Sequence, residues 1–253
     1  MSGHSKWAQI KRQKGATDTK RGQAFTKLAR AITITVRDSG GVGDPNSNFK
    51  LRLAIDKARA ENMPKENIQR AIERGMGGAD REGLEEALYE GFGPEGIVII
   101  VEAVTDNKQR TFSEIKNVFD KNGGALASQG AVSYLFQQKG QIIVQKSDIS
   151  FDDIFMAAAD NQAEDVEESG NDIFVYTKPQ DLNKIKDSLD SNGIKVTDAE
   201  LIRKPVTVVK ILDKDDAEKI LSLIDKLEGL DDVQKVYSNF DIPDNILNDI
   251  KTD

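Results

Sequence analysis

Cysteine is absent from this 253-residue chain, and histidine and tryptophan occur once each, as His4 and Trp7. Without thiols there is no disulfide, no thiolate nucleophile and no cysteine-ligated zinc or iron–sulfur centre. One histidine cannot build a two-histidine metal site, and a Ser-His-Asp arrangement would have to recruit His4. Long apolar runs are missing too. Ile97–Val101 is strand-length, far short of the ~20 residues of a membrane span. The opening MSGHSKWAQIKRQKG has neither the apolar core nor the cleavage site of an export signal, so a cytoplasmic location is expected. Catalysis would fall to carboxylates, lysine or tyrosine, and no pair of these stands out by spacing. The expectation is therefore no enzyme, no cofactor, no metal and no membrane.

What the chain does have is charge, divided in two. Met1–Gly75 holds 16 Lys+Arg against 7 Asp+Glu, while the remaining residues hold 19 against 36. The net of −8 thus conceals a basic head on an acidic body. Such a head attracts phosphate and such a body repels it, so only one end is suited to nucleic acid.

Periodicity divides the chain similarly. Phe25, Leu28, Ala29, Ile32 and Val36 form one helical stripe, Leu51, Ala54, Ile55 and Ala58 a second, and Ile68, Ala71 and Ile72 a third. GGVGDP (40–45) separates the first two, with Asp44 as expected N-cap and Pro45 in the first turn. The third helix starts after Pro64 and stops at Gly75. Beyond about residue 84 strand patterns appear: ALYEGFG with IVIIVEAVT, AVSYLF with QIIVQ as a hairpin, DVEES, DIFVYT, IKVTDAELI, VTVVKIL and VQKVYSN. Between them lie amphipathic helices with Phe112, Ile115, Val118 and Phe119 inward, then one after Ser150 (capped with Asp153), one carrying Leu182, Ile185 and Leu189, and one opened by Asp213. The fold class expected is α+β: an N-terminal three-helix bundle, then two ferredoxin-like α+β domains, one inserted in the other. The expected domains are 1–80, a split domain of 81–130 plus 205–253, and an inserted domain of 131–204.

Gly91-Phe92-Gly93-Pro94-Glu95-Gly96 matches the dinucleotide-binding GxGxxG letter for letter. That motif needs a helix after it, so that the helix N-terminus meets the phosphates; here a β-rich run follows and a hairpin turn is expected. No GxxxxGK[ST] loop is present. Asp213, Asp215 and Asp216 suit a helix start, and Asp160–Glu168 a solvated loop, rather than a metal site. The basic head is different. His4, Lys6, Trp7, Lys11, Arg12 and Lys14 interleave charge with an indole that can stack on a base, and the helices add Lys20, Arg21, Lys27, Arg30, Lys50, Arg52, Lys57 and Arg59. These are the expected nucleic-acid-binding residues.

GHSKWAQIK (3–11), GDPNSNFKLRLAIDKARAENMPKENIQRAIERG (43–75), YEGFGPEGIVIIVEAVTDNKQRT (89–111) and YSNFDIP (237–243) resemble the YebC/PmpR family of regulatory proteins. Tyr134 is one departure, at a position where members commonly carry tryptophan. The resemblance implies a three-domain fold and a non-enzymatic cytoplasmic regulator that binds DNA to control transcription. Its alternative implication is a translation factor on ribosomal RNA or the ribosome that assists stalled peptide synthesis. No clear recognition helix with base-reading Arg, Asn and Gln is evident, which weighs mildly against sequence-specific readout. The acidic body is expected to meet protein rather than RNA.

Overall fold

The computed structural model describes residues 18–77, 83–146 and 149–251. Within these, the chain forms two compact units, one spanning Phe136–Val206 and the other built from residues on both sides of it.

The larger unit begins with helices α1 (Asp18–Asp38), α2 (Phe49–Ala60) and α3 (Lys65–Gly75). The three expected stripes meet in one core, where Ile32 and Val36 pack on Leu51, Ile55, Ala58, Ile68 and Ile72. Close approach of α1 and α3 requires Gly75: a Cβ there would lie 2.6 Å from Val36 Cβ and 2.7 Å from the Thr33 carbonyl oxygen. Thr33 Oγ1 donates to the Ala71 carbonyl at 3.0 Å across the same crossing.

Asp44 does not cap α2. It heads a turn, its carboxylate accepting from Asn46 N at 3.0 Å and its carbonyl from Ser47 N and Asn48 N. The cap is Asn48, whose side chain accepts from Leu51 N at 3.1 Å and donates to Ser39 Oγ at 2.9 Å and Val42 O at 3.1 Å. One buried amide thus closes the glycine-rich loop and starts the helix, which an aspartate, lacking a donor, could not do.

The same unit continues with β1 (Glu85–Phe92), β2 (Val98–Thr105), α4 (Lys108–Lys121) and β3 (Ala125–Ala127). After the smaller unit come β8 (Val209–Lys210), α7 (Lys214–Glu228), β9 (Val233–Ser238), β10 (Phe240–Asp241) and α8 (Asp244–Lys251). The sheet order is β3-β1-β2-β9, antiparallel throughout, and β8 pairs in parallel with β10. Alternate residues Ile97, Ile99 and Val101 face Ile115 and Phe119 of α4 and Ile220, Ile224 and Leu227 of α7 in one core. GxGxxG is a hairpin connection: a 3-10 turn at Pro94–Gly96, closed by Gly93 N donating to Ile97 O at 2.9 Å.

The smaller unit runs β4 (Phe136–Gln145), α5 (Phe151–Asp160), β5 (Asp165–Ser169), β6 (Asp172–Thr177), α6 (Leu182–Ser191) and β7 (Val196–Pro205), with sheet order β5-β6-β4-β7. This is the βαββαβ order of ferredoxin-like folds.

Several local expectations are corrected. AVSYLF and QIIVQ do not form a hairpin, because Gln137–Gly140 continues β4 as one strand paired to Leu201–Lys204 of β7. VTVVKIL contributes only Val209–Lys210 to a strand. Phe112, expected inward, is exposed and leans on Tyr89 with ring centroids 6.4 Å apart. Strand β3 and helix α8 had no sequence expectation.

Candidate nucleic-acid interface

Burial of Leu51, Ile55 and Ala58 sets where the cations of α2 fall. Lys50 and Lys57 occupy one flank of that buried stripe, and Arg52 and Arg59 the other, each pair two turns apart. Lys50 and Arg59 are exposed; Arg52 and Lys57 are half-buried. The Arg52 guanidinium lies 5.7 Å from the centroid of the Phe49 ring, and Arg59 faces Asp56 at 3.7 Å. On α3, Lys65, Arg70 and Arg74 are exposed, with Arg70 3.6 Å from Glu66 and Gln69 donating to Glu73 at 3.0 Å. Pairs this exposed contribute only a few tenths of a kcal/mol, roughly 0.2–0.5 each, so a phosphate can replace the carboxylate at little cost.

Two of the expected cations have a different setting. Lys27 Nζ donates to the Glu228 carbonyl at 2.5 Å, and Arg30 donates to the Asp231 carbonyl at 2.9 Å and to Asp232 Oδ1 at 2.7 Å. Gln23 adds a bond to Asp231 at 3.3 Å. These bonds seat the inner face of α1 on the turn between α7 and β9. A small apolar cluster of Ile34 with Leu84 and Val104 lies beside them.

Asp232 is the centre of this junction. Its carboxylate, 3% exposed, accepts from Arg30, from Arg110 Nη2 at 2.7 Å, from Thr105 Oγ1 at 3.0 Å and from Thr111 Oγ1 at 2.6 Å. Burial pushes its pKa up, but the bonds from Arg110, Thr111 and Thr105 and the Arg30 charge together hold it below the ordinary carboxylate value. Arg110 is raised in turn, first by its bond to Asp232 and then by the one to Asp106.

His4, Lys6, Trp7, Lys11, Arg12 and Lys14 lie outside the described residues, and Lys20 and Arg21 fall at the start of α1. Among the described residues, no group of three His, Cys, Asp or Glu is placed to hold a metal ion, and no helix is long and apolar enough to cross a membrane. Asp213 caps α7 by accepting from Asp216 N at 3.1 Å, and Asp216 pairs with Lys219 at 2.8 Å.

Residues 5–78 match the TACO1/YebC N-terminal domain, and residues 84–240 match the TACO1/YebC second and third domain. The chain belongs to the TACO1/YebC family. A probable transcriptional regulatory protein of Chloroflexus aurantiacus is 51% identical over 96% of each chain, and one of Dictyoglomus thermophilum is 47% identical over 98% of each. The crystal structure of a conserved hypothetical protein from Aquifex aeolicus superposes with a TM-score of 0.83 at 42% identity, covering 91% of this chain and 94% of that one. The names of these relatives support a regulatory role.

Within this TACO1/YebC chain, charge and periodicity pointed to the cations of α2. The Asp232 junction had no such signal. Asp231 and Asp232 look like two more surface acids, and their partners lie about 200 and 120 positions away (201 and 202 for Arg30, 122 for Arg110).

Proposed function

We propose that this protein is a non-enzymatic regulator that grips nucleic acid with its basic N-terminal domain, and that its target is DNA near regulated genes. The observation that carries the reading is the outward placement of Lys50, Arg59, Lys65, Arg70 and Arg74 on α2 and α3, in a domain whose apolar residues are turned into a common core. Lys27 and Arg30 act as anchors that present this surface, and Lys6, Lys11, Arg12 and Lys14 add to the positive charge of the N-terminal segment. The acidic remainder repels phosphate and is the part suited to protein partners.

One observation favours a second reading. Two of the α3 side chains able to read base edges, Gln69 and Arg70, are engaged by Glu73 and Glu66, and Arg52 lies over Phe49. A surface that grips backbone more than it reads bases also suits structured ribosomal RNA, as a translation factor would require. In-cell crosslinking, with bound DNA and RNA sequenced from one sample, decides between them. Discrete gene-control regions support the first reading and ribosomal RNA the second. Recovery of neither, or recovery unchanged when Lys50, Arg59, Lys65 and Arg70 are neutralised, overturns both.

A further inference from the structure

The helical domain turns its large apolar side chains inward with one exception. Among its described residues, those more than a third exposed are Val42, at 38%, and Met76, at 49%. Both stand at the same end of the bundle, Val42 in the glycine-rich loop between α1 and α2 and Met76 directly after α3. The Met76 thioether lies against the loop: a Cβ on Gly43 would meet Met76 Sδ at 2.5 Å and Ile72 Cγ2 at 3.0 Å. The loop itself is fixed from both sides. Gly41 N donates to Val36 O at 2.9 Å, and Asn48 Nδ2 donates to Val42 O at 3.1 Å. Asp44 directs its carboxylate to its own turn, accepting from Asn46 N at 3.0 Å and Ser47 Oγ at 3.2 Å. Val42 and Met76 thus form a small apolar tip held in place by the fold.

We propose that this tip packs on an unstacked base, so that the nucleic acid selected by the domain carries a bulge, loop or open end beside a paired stretch. The proposal rests on the reading that the basic domain grips nucleic acid, and it names the feature that is selected. The tip closes the end of the surface that bears Lys50 and Arg59 on α2 and Lys65, Arg70 and Arg74 on α3. Arg74 lies two residues before Met76, and Lys50 two residues beyond Asn48, whose amide holds the Val42 carbonyl. Both cations are exposed, and neither side chain is bonded to an acid among the described residues. A phosphate on either leaves the adjoining base near the tip. Asp38 and Asp44, exposed at the same end, disfavour a second phosphate there, so the uncharged part of a nucleotide is what suits it. In a regular duplex the face of that base is covered by its neighbours; where stacking is interrupted, an apolar side chain reaches it. A thioether fits such a face because it is polarizable and makes favourable contacts with aromatic rings. The bonds within the loop order the tip before any ligand arrives, which keeps the entropic cost of contact small.

The test uses the full chain and fluorescent probes: a fully paired duplex and the same duplex with a central bulge, each made as DNA and as RNA. Anisotropy titrations at one salt concentration are expected to show the bulged form bound about tenfold more tightly in at least one of the two, and which one separates DNA from RNA as the source of the base. Val42→Ser combined with Met76→Gln should remove that preference and leave affinity for the paired duplex and its salt slope unchanged, because no charge is altered. Both side chains are exposed, so the core stays in place. Gly43→Ala, which displaces the Met76 thioether, should reduce the preference as well. Equal affinity for bulged and paired forms overturns the proposal and leaves the nucleic-acid reading standing. A preference that survives the double substitution overturns it too, since the selecting group then lies elsewhere. Binding of none of the probes overturns both. A parent that sediments as a dimer with a double variant that sediments as a monomer makes the tip a contact between copies, and the proposal falls.

Discussion

Arg30 donates to Asp232 at 2.7 Å across 202 positions of sequence, joining the first helix to the turn that precedes strand β9. The Asp232 carboxylate is 3% exposed and Arg30 is 22% exposed, so the acid is the partner that cannot fall back on water. Arg110, Thr105 and Thr111 complete its shell from β2 and α4. This buried charge joins the contacts of Lys27 with Glu228, of Gln23 and Arg30 with Asp231, and of Ile34 with Leu84 and Val104 in seating the first helix.

Removing that charge is expected to be costly. Asp232→Ala leaves Arg30 and Arg110 facing a site built for a carboxylate and should lower stability by about 3 kcal/mol, the lower end for a broken buried pair because both arginines still reach solvent. Arg30→Ala should cost less, and a double-mutant cycle in urea should give a coupling of about 0.5 kcal/mol or more. Additive effects would show that this ion pair does not carry the docking.

Glu90 and Asp232 should together shape acid stability. Each is held below its ordinary value, 4.5 for the glutamate and 3.8 for the aspartate; in both, burial acts upward and is outweighed by donated hydrogen bonds. The folded protein keeps both ionised while the unfolded chain takes up protons near the ordinary values. Their stabilisation is thus complete above that range and is lost as pH falls through the lowered folded values. Glu90→Gln should cost about 1–3 kcal/mol near neutrality. The gap to the parent should narrow between about pH 5 and pH 3, read from urea midpoints at each pH.

Two glycines should respond in opposite senses. Gly75→Ala drives a methyl into Val36 Cβ and the Thr33 carbonyl, both under 3.0 Å, and is expected to cost about 1–3 kcal/mol. Gly22→Ala, inside α1 with nothing within 4 Å of the new atom, should gain about 0.5–1 kcal/mol from helix propensity. Thermal unfolding of the two variants checks both signs.

The exposed cations should act through salt dependence. Where Lys50, Arg59, Lys65 or Arg70 grips a phosphate, neutralising it should lower the slope of log affinity against log salt by about 0.9 on duplex DNA and about 0.7 on a single strand. Lys27→Ala should lower stability with little change in that slope, because its ammonium is bonded to the Glu228 carbonyl. A slope unchanged in all four surface variants would separate the basic face from binding.

Helices and strands with clear periodicity were legible from residues alone: the three stripes of the bundle, DVEES and DIFVYT as β5 and β6, and the caps at Ser150 and Asp213. The misreadings have physical causes. Gln137–Gly140 looks like a turn because it is polar and ends in glycine. Gly140 is there because a Cβ would meet Thr177 Oγ1 at 2.3 Å and Leu182 Cβ at 2.9 Å, a crowding that exists only once β6 and α6 are in place. Asp44 carries a cap signature, yet Asn48 caps the helix because, of the two, only Asn48 has an amide that can close the loop as well.

By itself the sequence determined the segregation of charge, the inward stripe of each helix and the exclusion of thiol and two-histidine chemistry, since these follow from composition and from spacing along one element. Only the tertiary structure decided which of the described cations face solvent and which are bonded to the acidic body. Such choices depend on groups brought together from distant positions, and a local pattern carries no record of the partner it will meet.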